Sequence, residues 1–251
     1  EGAVNVEVTY SGGPFMLLDS NTSASVVGSN EAAQAPSPTS LARSGAYIYS
    51  AQAREIFGFI GTGNNYELQL KNLQIVHASK FSNIPTIFAN VIGAVYLLIE
   101  TSSLYNISIG GQNVQFIETN PTFSFQNSYF QADINNIQLR DNETTAGVFN
   151  CKFETKDNAD GRGWWETNSS GGTNWFSWGD NIFWSNPSIL KYYMWIENGT
   201  ATNYCDVIAA NFGTHNVFSG GGGSVPQNTT AGGGSIISGS MPINAPSKYR
   251  R

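Results

Sequence analysis

Charge is what this chain lacks most. Only 12% of its 251 residues are Asp, Glu, Lys or Arg, where a typical domain carries about a quarter. Lys and Arg together number 12 against 27 Asn, so solubility rests on neutral amides and hydroxyls. The net charge of −6 repels phosphate backbones and anionic bilayers, and nucleic acid is not expected as a partner. No apolar run reaches the roughly 18 residues of a membrane span; the longest, Ile92 to Ile99, is strand-sized. Histidine is confined to His77 and His215, and cysteine to Cys151 and Cys205. His77 follows an apolar pair and reads as a wall residue, His215 as a turn residue. No metal-spaced His/Cys cluster, Gly-x-Ser-x-Gly or phosphate-cradling loop occurs, so zinc, serine-nucleophile and nucleotide chemistry are not expected, nor is any cofactor.

What is present is repetition. Asn90-Val91-Ile92, Asn113-Val114-Gln115-Phe116 and Asn136-Ile137-Gln138-Leu139 recur every 23 residues. A second series, at Asn106, Asn127 and Asn150, runs between them with spacings of 21 and 23. An Asn followed by apolar-x-apolar is a turn residue feeding a strand whose alternate side chains enter one core. Periods of roughly 20–50 residues mark repeat architectures, in which stacking buries what a single unit cannot. The expected fold is therefore an all-β coil of ~23-residue rungs. A β-sandwich or jelly roll, which also has short strands at regular spacing, is the alternative.

The chain divides by composition. Residues 1–45 hold one strand, Val4 to Thr9, and then a small, polar stretch, Ala35-Pro36-Ser37-Pro38, that reads as cap and linker. Strand phrases fill 46–218, with a Trp-rich insertion at about 161–195. A Gly-rich segment occupies 219–251, where backbone entropy disfavours a packed element unless a neighbouring chain holds it. The first residue is Glu1, which suggests a processed or excised product. Six N-glycosylation sequons, at Asn21, Asn106, Asn142, Asn168, Asn198 and Asn228, are about what chance supplies among so many Asn and Ser/Thr.

In its recurring Asn-apolar-x-apolar phrases over residues 46–218 the sequence resembles the single-stranded right-handed parallel β-helix proteins, the pectin-lyase-like group, and in particular phage tailspikes. The resemblance implies inward aliphatic columns, stacked Asn at tight bends, and a homotrimer. The catalytic signatures of the pectate lyases and polygalacturonases are missing.

Three features carry possible chemistry. In the coil, Glu118 and Asp141 fall one rung apart, about 4.8 Å between backbones. Two carboxylates so close either share a proton, as a glycosidase pair does, or splay into water at a turn. Cys151 and Cys205 each start a Cys-x-apolar strand and are expected in one inward column two rungs apart, roughly 10 Å and so beyond disulfide reach. All six Trp fall between Trp164 and Trp195. Of these, Trp165, Trp175, Trp178 and Trp184, with Glu166, form the candidate binding set, as a sugar-stacking surface, a subunit contact or internal packing.

The composite expectation is an extracellular or virion-borne β-helix that binds a cell-surface polysaccharide, tailspike-like and trimeric. The competing expectations are a structural subunit of a virion or extracellular filament, and a polysaccharide hydrolase or lyase.

Overall fold

The computed structural model describes residues 6–8, 14–28, 47–62, 65–133, 136–140 and 144–155, and then the backbone of strands lying between residues 162 and 238. The strands come in trios. The first trio is β1 (Val6–Val8), β2 (Met16–Leu18) and β3 (Thr22–Val27), and the second is β4 (Tyr47–Ser50), β5 (Phe57–Phe59) and β6 (Asn65–Lys71). The third is β7 (Gln74–His77), β8 (Ile87–Asn90) and β9 (Ala94–Glu100), followed by β10 (Ser103–Asn106), β11 (Val114–Ile117) and β12 (Asn120–Gln126). Then come β13 (Tyr129–Ala132), β14 (Ile137–Arg140) and β15 (Thr145–Phe149), and β16 (Lys152–Thr155), β17 (Arg162–Ser169) and β18 (Thr173–Gly179). The last two trios are β19 (Ile182–Ser185), β20 (Tyr192–Asn198) and β21 (Thr202–Cys205), and β22 (Val217–Ser219), β23 (Gln227–Asn228) and β24 (Ser235–Ser238).

Each strand pairs in parallel with its counterpart in the next trio. The first sheet runs from β1 to β22, the second from β2 to β23 and the third from β3 to β24, each with eight strands. No helix occurs among the described residues. Parallel pairing with connections this short is the geometry of a β-helix, since a sandwich would pair its hairpins antiparallel.

As expected from their shared phrase, β8, β11 and β14 are consecutive parallel neighbours. The rung length differs from 23, however. The inward column Ile48, Ile75, Leu104, Phe130, Phe153 advances by 27, 29, 26 and 23 residues. The 23-residue step holds for one rung only, and the reason lies in the corners. The connection from the first sheet to the second spans residues 51–56, 78–86, 107–113 and 133–136 in successive rungs, and a loop on the outside of a coil can lengthen without disturbing strand register. Asn90 accordingly ends β8 rather than preceding it, and Thr86 occupies the register position of Asn113. Asn106 likewise ends β10, in register with His77.

From β6 to β16 the corner from the third sheet to the first does not vary. It consists of two residues each time: Asn72-Leu73, Thr101-Ser102, Asn127-Ser128 and Asn150-Cys151. The leading residue is left-handed in all four, with φ of 53°, 48°, 49° and 50°. Asn tolerates this region because its short amide bonds locally; a β-branched Thr does so at a cost. The following residue is buried and builds a ladder. The Ser102 hydroxyl accepts from Leu73 N–H (3.4 Å) and donates to the Glu100 carbonyl (2.9 Å). Ser128 repeats this, accepting from Ser102 N–H (3.2 Å) and donating to Gln126 O (2.7 Å). Cys151 takes the next place, its Sγ 3.3 Å from Phe149 O. Its thiol is buried, forms no disulfide, and is pushed up to about 12 by desolvation.

That location corrects the expected cysteine column. Cys151 stands at the head of β16 in the first sheet, whereas Cys205 ends β21 in the third, in register with Phe176. Residues 1–45 contain the whole first trio, and β1 pairs in parallel with β4.

Inside, aliphatic columns of the first and third sheets give way to Phe, as Ile48, Ile75 and Leu104 to Phe130 and Phe153, and Leu70 and Ile99 to Phe125. Phe59 meets Phe116 edge-on at 5.8 Å, Phe125 lies 5.1 Å from Phe130, and Phe130 stacks on Phe153 at 4.8 Å and 9°. Ring pairs at these separations add to the burial term. Two buried asparagines are tied in by their side-chain amides. Asn113 Nδ2 donates to Leu104 O, Gln131 O and Asn136 Oδ1 (3.3, 2.9 and 2.7 Å), and Asn136 Nδ2 to Glu154 O (3.1 Å). His77 is fully buried with Nε2 3.3 Å from Gln52 O, and burial lowers its pKa, so the ring is neutral and structural.

Candidate functional site

Strand alternation decides what the third sheet shows to solvent. In β6 the side chains of Tyr66, Leu68 and Leu70 are buried, which turns Glu67 and Gln69 outward. In β9, Val95, Leu97 and Ile99 are buried and Tyr96 and Leu98 turn outward. Register then lines up one outer column: Ser23, Glu67, Tyr96, Thr122 and Thr145.

The start of this column forms a groove of about 350 Å³ lined by Asn21, Thr22, Ser23, Asn65, Tyr66, Glu67 and Tyr96. Its lip is the tight turn from β2 to β3. Asn21 sits there at φ 58°, Ser20 N–H donates to Asp19 Oδ1 (2.6 Å), and the Thr22 hydroxyl donates to Asp19 O. Gly61 is required beneath the turn: its φ is +94°, and a Cβ would stand 2.6 Å from Asp19 Oδ1. On the groove floor the Glu67 carboxylate is held by its neighbours. Oε1 accepts from Gln69 Nε2 (2.6 Å) and Oε2 from the Ser23 hydroxyl (3.4 Å).

The groove thus offers a half-buried aromatic ring, two Asn amides, hydroxyls and one oriented carboxylate. Such a set accepts and donates hydrogen bonds to polyols while a ring face stacks on C–H surface. Of its lining residues only Glu67 carries a carboxyl group. Among the described residues no group of three or more His, Cys, Asp or Glu could hold a metal ion.

The residues picked out by sequence are distributed differently. Glu118 is an exposed turn residue at φ 56° between β11 and β12; Asp141 lies outside the described residues. The tryptophan set is spread over all three sheets by backbone register. Trp165 and Glu166 pair with Ile137 and Gln138 in the second sheet, Trp175 and Trp178 with Thr145 and Val148 in the third, and Trp184 with Glu154 in the first. Trp175 thereby takes the next register position after Thr145 in the column that starts at Ser23 and Glu67. Sequence reading missed Glu67 and Tyr96. The signal was the alternation Tyr66-Glu67-Leu68-Gln69-Leu70, but a 23-residue period does not align Glu67 with Tyr96, which stands 29 residues on. Compared with known protein families, curated proteins and solved structures, the chain matches none.

Proposed function

We propose that the protein is a polysaccharide-binding β-helix of an extracellular or virion surface, and that its ligand is held on the outer face of the third sheet. The carrying observation is the groove that joins Tyr96 to a carboxylate already oriented by Gln69 and Ser23. A preoriented acceptor beside an aromatic face lowers the ordering cost of capturing a sugar ring. The amide- and hydroxyl-rich, charge-poor composition supports an external setting. Trimerisation rests on the tailspike resemblance alone.

The test is a glycan array probed with the native chain and with Tyr96→Ala and Glu67→Gln. The reading expects one or more glycans to be retained by the native chain and weakened by both substitutions. Retention of the same glycans by both folded variants would remove the groove from the function.

A further inference from the structure

Resting on that reading, we infer that the ligand is an extended polysaccharide without acidic groups, laid along the outer column of the third sheet with about one sugar ring per rung. The column is continuous in register from Ser23 through Glu67, Tyr96, Thr122 and Thr145 to the backbone position of Trp175. Successive positions are about 4.8 Å apart, close to the length of one pyranose in an extended chain. Two aromatic positions, 96 and 175, bracket two threonines three rungs apart, or roughly 14 Å. A parallel column Ser25, Gln69, Leu98, Ser124 runs beside it, with Gln126 in the column beyond.

The charge pattern excludes an acidic polymer. Among the described residues at these outward positions the carboxylate and ammonium side chains are Glu67, Lys71 and Glu100, and the Lys71 ammonium is 2.7 Å from the Glu100 carboxylate. Among the described residues of this face no unpaired cation offsets Glu67, so a polyanion would meet a like charge, and desolvating like charges together is unfavourable.

The experiment uses the full chain against immobilised dextran, mannan, xyloglucan, polygalacturonate and hyaluronate, followed by an oligomer ladder prepared from whichever polymer is retained. Retention of an uncharged polymer is expected, little altered between 50 mM and 500 mM salt, with affinity rising up to about five or six sugar units and levelling beyond. Thr122→Lys, at a half-buried outward position, is expected to weaken the long oligomers while leaving a disaccharide unaffected. Tyr96→Ala should weaken both, by roughly 5- to 150-fold, the equivalent of a lost stacking contact. Circular dichroism on each variant separates lost binding from lost fold. Retention of only polygalacturonate or hyaluronate, or a disaccharide binding as tightly as a hexasaccharide, would overturn this inference and leave polysaccharide binding standing. Retention of none of the polymers would overturn both.

Discussion

Asn113 and Asn136, 23 residues apart in sequence, join side chain to side chain across one rung, Nδ2 of the first donating to Oδ1 of the second at 2.7 Å. Both are completely buried. Each amide also ties the second sheet to a carbonyl of the first, so the pair closes a corner that the variable loops leave open. Replacing Asn136 with Ala removes an acceptor and a donor at once, leaving the Glu154 carbonyl unpaired. Asn113 Nδ2 keeps the Leu104 and Gln131 carbonyls, so urea unfolding should show a loss of about 1–3 kcal/mol, the cost of stranding one buried group. A loss under about 0.5 kcal/mol would mean that water substitutes freely there.

Thr101 is the misfit in a column otherwise made of Asn. Its φ of 48° places a β-branched side chain in the left-handed region. Thr101→Asn should raise stability by about 1 kcal/mol, the lower end of what such strain costs. The same substitution at Glu118, φ 56°, should also stabilise and should leave glycan retention unchanged if that carboxylate is only a turn residue. A loss of retention would return Glu118 to the binding machinery.

Cys151 continues a serine ladder, so a hydroxyl should replace its thiol. Cys151→Ser is expected to change stability by less than about 1 kcal/mol, whereas Cys151→Val should cost more, because Ser128 N–H then loses its acceptor. Denaturant midpoints of the two variants decide this.

Alkaline pH should unfold the chain through tyrosine. Tyr105 is buried against Tyr129, ring centroids 5.3 Å apart, and desolvation pushes its hydroxyl up to about 12. Tyr129 is raised as well, chiefly by burial and then by its bond to Glu154. A folded-state value above the unfolded one near 10 stabilises fully below pH 10, and that contribution is lost as pH climbs through the folded value. Stability should therefore decline between about pH 10 and 12, and Tyr105→Phe should flatten the decline.

The repeat was legible because Asn, Ser and aliphatics recur where corners and core need them, and parallel stacking follows from that. The rung length was not, since the 23-residue step is real only where the corner from the first sheet to the second is shortest, at residues 133–136. From that one error came the misplaced Asn90, Asn106 and Cys205. Glu67 and Tyr96 were hidden for the same reason: outward residues carry no hydrophobic signal, and only correct register brings them together. The tryptophans drew notice because all six fall in one window, yet of the candidate set it is the register of Trp175 that connects with the groove.

The two-residue corner at Asn72, Thr101, Asn127 and Asn150 makes the molecule a set of interchangeable links. A segment from one corner to just before the next, such as residues 101–126 or 127–149, begins and ends at equivalent points of the coil. Copying such a segment in tandem would lengthen the shaft by one step of about 4.8 Å and extend the threonine track by one place, with no new joint to invent. Growth of the binding surface and growth of the scaffold are then the same genetic event.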